Sequence, residues 1–119
     1  MQILKVLTRV YLNPIDLDEA IAFYEDLFTE KCWLWFQYSE AGLELAGVGS
    51  ILLIAGSAET LSPFKSIQAT FLVDSLNDFR EALTQQGAVI LAEPNKVPTG
   101  INMRAMHPDG TIIEYVEFA

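Results

Sequence analysis

One order of elements is legible twice in this chain, and that repeat limits the folds open to it more than any single motif. The stretch D-L-D-E-A-I-A-F-Y, which contains Leu17, lies over S-L-N-D-F-R-E-A-L, which contains Leu76, at a shift of 59 positions (76 − 17), and the same shift sets Arg9 against Gln68. Further along, Gly49-Ser50-Ile51-Leu52-Leu53 falls against Gly110-Thr111-Ile112-Ile113-Glu114. Identity between the halves is weak, and what recurs is a βαβββ order. A half this small cannot bury its sheet face alone, so two halves must pair within one domain.

The elements follow from periodicity and punctuation. Ile3 to Asn13 alternates as a strand, with Val10 and Leu12 on one face and Arg9, Tyr11 and Asn13 on the other, and Pro14 ends it. Leu17, Ala20, Ile21, Tyr24, Leu27 and Phe28 recur at helical spacing behind a cap at or beside Asp16. Cys32 to Tyr38, Leu43 to Val48 and Ser50 to Ala55 read as three strands in a meander. The first module thus spans 1–56, a connector without periodicity spans 57–65, and the second module spans 66–119. In that second module Ile67 to Val73 is a strand, and Ser75 caps a helix that stops at Gly87. Ala88 to Leu91 is a strand, a polar loop with Pro94, Pro98 and Gly100 follows, and Ile101 to Met106 and Thr111 to Phe118 are the last two strands.

The closing stretch M-H-P-D-G-T-I-I-E-Y-V-E concentrates the chemistry. Pro108, Asp109 and Gly110 spell a tight turn, and the strand after it carries one acid, Glu114, on a face with Ile112 and Val116. A carboxylate there is either wet at a rim or held in a cavity by partners, because burying it unpaired costs several kcal/mol.

Charge and cysteine usage exclude several function classes. Seven Lys and Arg stand against sixteen Asp and Glu, a formal net charge of −9, so the basic clusters that meet nucleic acid or anionic membranes are lacking, whereas a cationic guest is favoured. No apolar run approaches the roughly 18 residues of a membrane helix, and no secretory leader is seen. Cys32 is the single cysteine, so neither an intrachain disulfide nor a cysteine-based zinc site can form. The expectation is a cytoplasmic protein.

Two βαβββ modules, D-L-D-E-A-I-A-F-Y after a first strand and P-D-G-T-I-I-E-Y-V-E at the end, resemble the vicinal oxygen chelate superfamily of glyoxalases, extradiol dioxygenases, fosfomycin-resistance enzymes and bleomycin-binding proteins. The resemblance covers nearly the whole chain. It implies an α+β fold in which curved mixed sheets form a cup-shaped cleft with the helices outside, and a homodimer. In the enzymes of that group a divalent metal sits in the cup, held from the first and last strands of each module. Carried over, those positions fall on Arg9, Leu53, Gln68 and Glu114. Arg has no lone pair to offer and Leu has no donor at all, so only Gln68 and Glu114 remain as metal ligands, and no metal cofactor is expected. An Arg9–Glu114 ion pair is expected to stand where relatives hold the metal.

His107, the lone histidine, is expected to flank the turn, partly exposed, rather than to act as a base. Trp33, Trp35 and Gln37 would share one face of their strand, and Cys32, Leu34, Phe36 and Tyr38 the other; aromatics on the cleft side could stack on a planar or cationic guest. Arg9, Tyr11, Trp33, Trp35, Gln68, Thr70, Arg104 and Glu114 are accordingly the candidate ligand-binding residues. The function expected from them is metal-independent binding of a small molecule. The alternatives are a metal-dependent lyase, isomerase or dioxygenase that adds a third ligand such as His107, and a protein-interaction module without a small-molecule role.

Overall fold

A computed structural model of the protein describes residues 1–119. The fold is α+β, with βαβββ written twice, and it divides into two units. The first unit is continuous, Thr8–Ser66; the second joins Met1–Leu7 to Ile67–Ala119. Strand β1 (Ile3–Leu12) therefore contributes to both.

In the first unit the sheet runs β2 (Leu34–Tyr38), β3 (Leu43–Val48), β4 (Ile51–Ala55) and then β1. Strand β4 pairs parallel with β1, and the meander pairs are antiparallel. Helix α1 (Leu17–Phe28) lays Leu17 and Ile21 on Ala46, Val48, Leu53 and Ala55. Asn13 caps the 3-10 turn Pro14–Asp16 by accepting from the Ile15 amide at 3.0 Å, so the chain enters α1 already wound. At the far end Thr29 takes a left-handed φ of 55° and its amide closes onto the Glu25 carbonyl.

The connector is more regular than its composition suggests. Ser57 caps a one-turn helix, α2 (Ala58–Leu61), a 3-10 turn Ser62–Phe64 follows, and Leu61 is buried.

In the second unit the order is β1, β5 (Ala69–Val73), β8 (Ile112–Phe118), β7 (Gly100–Met106) and β6 (Val89–Val97). Helix α3 (Leu76–Gln85) packs Leu76 and Phe79 on Val73, Met103, Ala105, Ile113 and Tyr115. Its first turn is tied to β8 because Glu117 accepts from the Leu76 amide at 2.7 Å, while Ser75 caps as expected. The polar loop expected around Pro94 is instead strand: β6 continues to Val97, with register shifts on either side of Ala92. A proline is tolerated there because β6 is the edge strand of this unit and the ladder is interrupted by bulges. No helix of the chain is long and apolar enough to cross a membrane.

Candidate functional site

The period-two alternation of β8 sends Ile113 and Tyr115 into the core beneath α3, which leaves Glu114 on the face away from the helix. The register then aligns four strands across that face. Ala92, Arg104, Glu114 and Thr70 are successive cross-strand partners on β6, β7, β8 and β5. Partners in direct register project to one side of a sheet, so these side chains share the face. Glu114 is half-buried, and its two oxygens are met by neutral donors: Thr70 Oγ1 donates to Oε1 at 2.9 Å, and Asn102 Nδ2 to Oε2 at 2.8 Å. The Thr70 side chain is itself 2% exposed. Hydrogen bonds to an ionised group contribute about 1.5–3 kcal/mol each, which is how the face holds a carboxylate without water on every lone pair.

Gln68, two residues before Thr70, is exposed, and its side-chain carbonyl accepts from the Ile112 amide at 3.2 Å. Its amide group therefore extends the β5–β8 ladder by one rung instead of turning outward as a metal ligand. Arg104 stands directly opposite Glu114, half-buried.

In the first unit the corresponding face carries Arg9, Leu52, Gly47 and Leu34 in one row and Tyr11, Ile54, Leu45 and Phe36 in the next. The Arg9 guanidinium carbon lies 5.4 Å from the centre of the Tyr11 ring. Tyr11 donates its hydroxyl to the Phe64 carbonyl, so it fastens the connector to β1.

Two expectations are corrected by these registers. Leu53 does not stand where Glu114 stands: it is fully buried beneath α1, and Ile54, opposite Tyr11, is the residue that matches Glu114 opposite Thr70. Trp33 and Trp35 do not share a face. Trp35 pairs with Ala46 on the α1 side, 51% exposed, and its indole N–H donates to Glu44 at 2.7 Å. Trp33 lies outside β2, with its ring on the side of Gly47 where a side chain would project, 2.8 Å from a Cβ built there, and its N–H donating to the Gly49 carbonyl. The aromatics on the Arg9 side are thus Trp33, Phe36 and Tyr38, and Trp35 is turned away from them.

His107 is likewise committed. Its Nε2 lies 2.6 Å from the Tyr115 hydroxyl, and Phe71 flanks both rings. Tyr115 points toward α3, opposite to Glu114, and burial pushes its hydroxyl up to about 12. A histidine held on that partner does not supply a third ligand beside Glu114. The chain has no group of three His, Cys, Asp or Glu side chains placed to hold a metal ion, and the donor set at the four inherited positions, with Arg9 in one, an aliphatic residue in another and Gln68 bonded to backbone, does not fit one.

No protein-family model matches the chain, and no curated protein does. Solved structures do. An uncharacterised protein from Methanosarcina mazei is 48% identical, with a TM-score of 0.87 over 100% of this chain and 95% of that one. Methylmalonyl-CoA epimerase from Mycobacterium tuberculosis is 22% identical over 98% of this chain and 89% of its own, with a TM-score of 0.70. A variant of the Streptomyces coelicolor methylmalonyl-CoA epimerase, in complex with 2-nitronate-propionyl-CoA, is 16% identical over 99% of both chains, with a TM-score of 0.71. At those identities the two epimerases show the fold alone.

Proposed function

We propose that the chain is a member of the vicinal oxygen chelate superfamily, whose fold it shares, and that it binds a small molecule, without a metal, on the face of β5, β8 and β7 that carries Thr70, Glu114, Asn102 and Arg104. The observation that carries this reading is the state of Glu114: the one carboxylate of the inherited ligand set has each oxygen bonded to a neutral side chain. Thr70, whose hydroxyl is buried, donates to one of those oxygens, so part of the carboxylate's accepting capacity is already committed within the protein. In this reading Thr70 and Asn102 orient the carboxylate, and Glu114 accepts a donor group of the guest. On the first unit, considered by itself, Arg9, Trp33, Phe36 and Tyr38 share one sheet face and are candidates for contact with a planar molecule there. Gln68 and Trp35 leave the list of guest-binding residues.

The protein works in this reading as a homodimer in the cytoplasm, consistent with a single, non-disulfide Cys32.

A second reading, a metal-dependent isomerase or lyase, is favoured by the structural neighbours that are methylmalonyl-CoA epimerases and by the placement of Gln68 and Glu114 on one sheet face. Metal content of the purified protein, together with melts in added Ni, Zn, Mn and Fe(II), separates the two. The expected result is no stoichiometric metal and unchanged melts. A metal bound one per chain in the wild type and lost in Glu114→Gln would overturn the metal-independent reading.

A further inference from the structure

The first unit has polar chemistry on its other side, where α1 packs. Alternation along β2 turns Trp35 and Gln37 to that side, and the registers extend them into two rows: Trp35, Ala46 and Leu53, and beyond it Gln37, Glu44 and Ala55. Ala46, Leu53 and Ala55 belong to the core under α1. Past Ala55 the second row opens on a cleft of about 230 Å³, with Pro14 on its wall and Gln37, Ser39 and Glu44 as its polar side chains. Glu44 accepts from the Trp35 indole N–H through Oε2 at 2.7 Å, and no cation of the protein pairs with it. The side chains of Gln37 and Ser39 bond to no other group of the chain. No lysine or arginine lines the cleft, and Pro14 brings no N–H to it. What it presents is one uncommitted carboxylate oxygen, an amide carbonyl and a hydroxyl, all able to accept.

We propose that this cleft binds the primary ammonium group of a small organic amine. The inference does not depend on the reading of the Glu114 face. An ammonium carries three N–H donors and no acceptor, so Glu44, Gln37 and Ser39 can each take one of its protons. A guanidinium matches less well, because its fork is complemented by both oxygens of a carboxylate, and Trp35 already holds one of them. Volume limits the rest of the ligand: the cleft is smaller than the roughly 300–1,000 Å³ that enclose a drug-sized molecule, so it takes a short amine or the amino end of a longer one. The formal net charge of −9 raises the local concentration of cations and favours such a guest. The site also carries its own reporter. Trp35 is 51% exposed and is bonded to the carboxylate that receives the cation, so occupancy changes the surroundings of its indole.

The test is titration calorimetry at low salt, with tryptophan emission recorded in parallel, using propylammonium, 1-propanol, tetramethylammonium, dilute guanidinium and propionate as probes. Wild type, Glu44→Gln, Gln37→Ala, Trp35→Phe and Glu114→Gln are compared, each with its own melt. Propylammonium is expected to bind one per chain and at least about tenfold more tightly than each of the other probes, and Glu44→Gln to lose about tenfold or more while Gln37→Ala loses less. The emission response is expected to vanish in Trp35→Phe. The unliganded melts of Glu44→Gln and Gln37→Ala are expected to stay near wild type, since glutamine still accepts from Trp35 and Gln37 has no protein partner to lose, which separates lost binding from lost folding. Equal binding of propylammonium by wild type and Glu44→Gln overturns the assignment. Loss of binding in Glu114→Gln alone also overturns it and moves the amine to the second unit, in keeping with the small-molecule reading of that face. Tetramethylammonium or guanidinium bound as tightly as propylammonium overturns the ligand class. If none of the probes binds wild type, the cleft is no ammonium site, and the reading of the Glu114 face is untouched.

Discussion

Where the first unit sets Tyr11 against Ile54, the second sets Thr70 against Glu114, at the same step of the same parallel pair of strands. Each partner pair sits on the face away from its helix, yet one is an apolar residue with no exposed surface beside a tyrosine and the other is a bonded carboxylate beside a buried hydroxyl. The βαβββ order closes with either. The scaffold therefore does not need a charge at this position, and the polar row Arg104, Glu114, Thr70 of the second unit is chemistry added to a fold that its sister unit completes without it.

That comparison can be broken most directly by moving the charge. Ile54→Glu places a carboxylate where the first unit has no matching Thr and Asn donors, and the expected loss of stability is about 3–5 kcal/mol in urea unfolding. A variant as stable as wild type would mean that the two positions are not equivalent.

Next in size is an alkaline effect confined to the second unit. Tyr115 is 3% exposed and its hydroxyl is raised from 10.0 to about 12 by burial, so the folded state favours the neutral form. The unfolded chain ionises first as pH rises; the stabilisation is whole below about pH 10 and is lost as pH climbs through about 12, amounting to roughly 2–3 kcal/mol. Urea midpoints followed from pH 8 upward should fall in wild type and fall less in Tyr115→Phe. Identical profiles would remove this tyrosine from the account.

Glu114→Ala should cost about 1–3 kcal/mol, because Thr70 and Asn102 each lose an acceptor, and Glu114→Gln should recover part of it. A melt of Glu114→Ala at or above that of wild type would show that the polar row is not held together as described. At the small end, Arg80→Gln should leave the melt unchanged within error: both members of the Arg80–Glu93 pair are exposed and water replaces them. A clear drop would mean that the edge strand β6 depends on that fork.

The sequence carried the parts of this comparison that rest on strong local periodicity. Helices α1 and α3, the cap at Ser75, and the face shared by Ile112, Glu114 and Val116 follow from spacing alone, whereas the cap expected at or beside Asp16 is not made: Asp16 gives no capping hydrogen bond, and Asn13 caps the 3-10 turn ahead of it. What stayed hidden depends on register between strands, which no single stretch records. A shift of 59 holds from Arg9 to Gln68 but becomes 60 from Ile54 to Glu114 (114 − 54), because the connections within the two units differ in length. Counting back 59 from Glu114 would land on Ala55, and aligning Gly49 with Gly110, a shift of 61 (110 − 49), lands on Leu53; each is one residue from Ile54 and on the opposite face. Trp33 escaped its alternation for a related reason: it precedes the paired part of β2, so its ring swings over side-chain-less Gly47 while Trp35 stays in phase. Pro94 signalled a loop because proline usually ends strands, and only its place on an edge strand reverses that. Asn102 as a second donor to Glu114 is a diagonal contact, opposite Val116 in register, and would be found only once the β7–β8 pairing was known.

The division of β1 bears on how the chain comes together in time. Thr8–Ser66 is continuous and can close as soon as it has left the ribosome, whereas the other unit recruits Met1–Leu7, which come ahead of that continuous unit, to sheet strands that follow some sixty residues later. The amide of Gln2 waits for Asp74, to which it bonds at 2.8 Å. Assembly thus has a built-in order, with one half maturing first while carrying the opening strand of the other. For the same reason, severing the gene at the connector would not release two self-sufficient pieces: the downstream piece would lack a strand of its own sheet, and only a permuted chain that begins near Thr8 and ends with Met1–Leu7 would restore it.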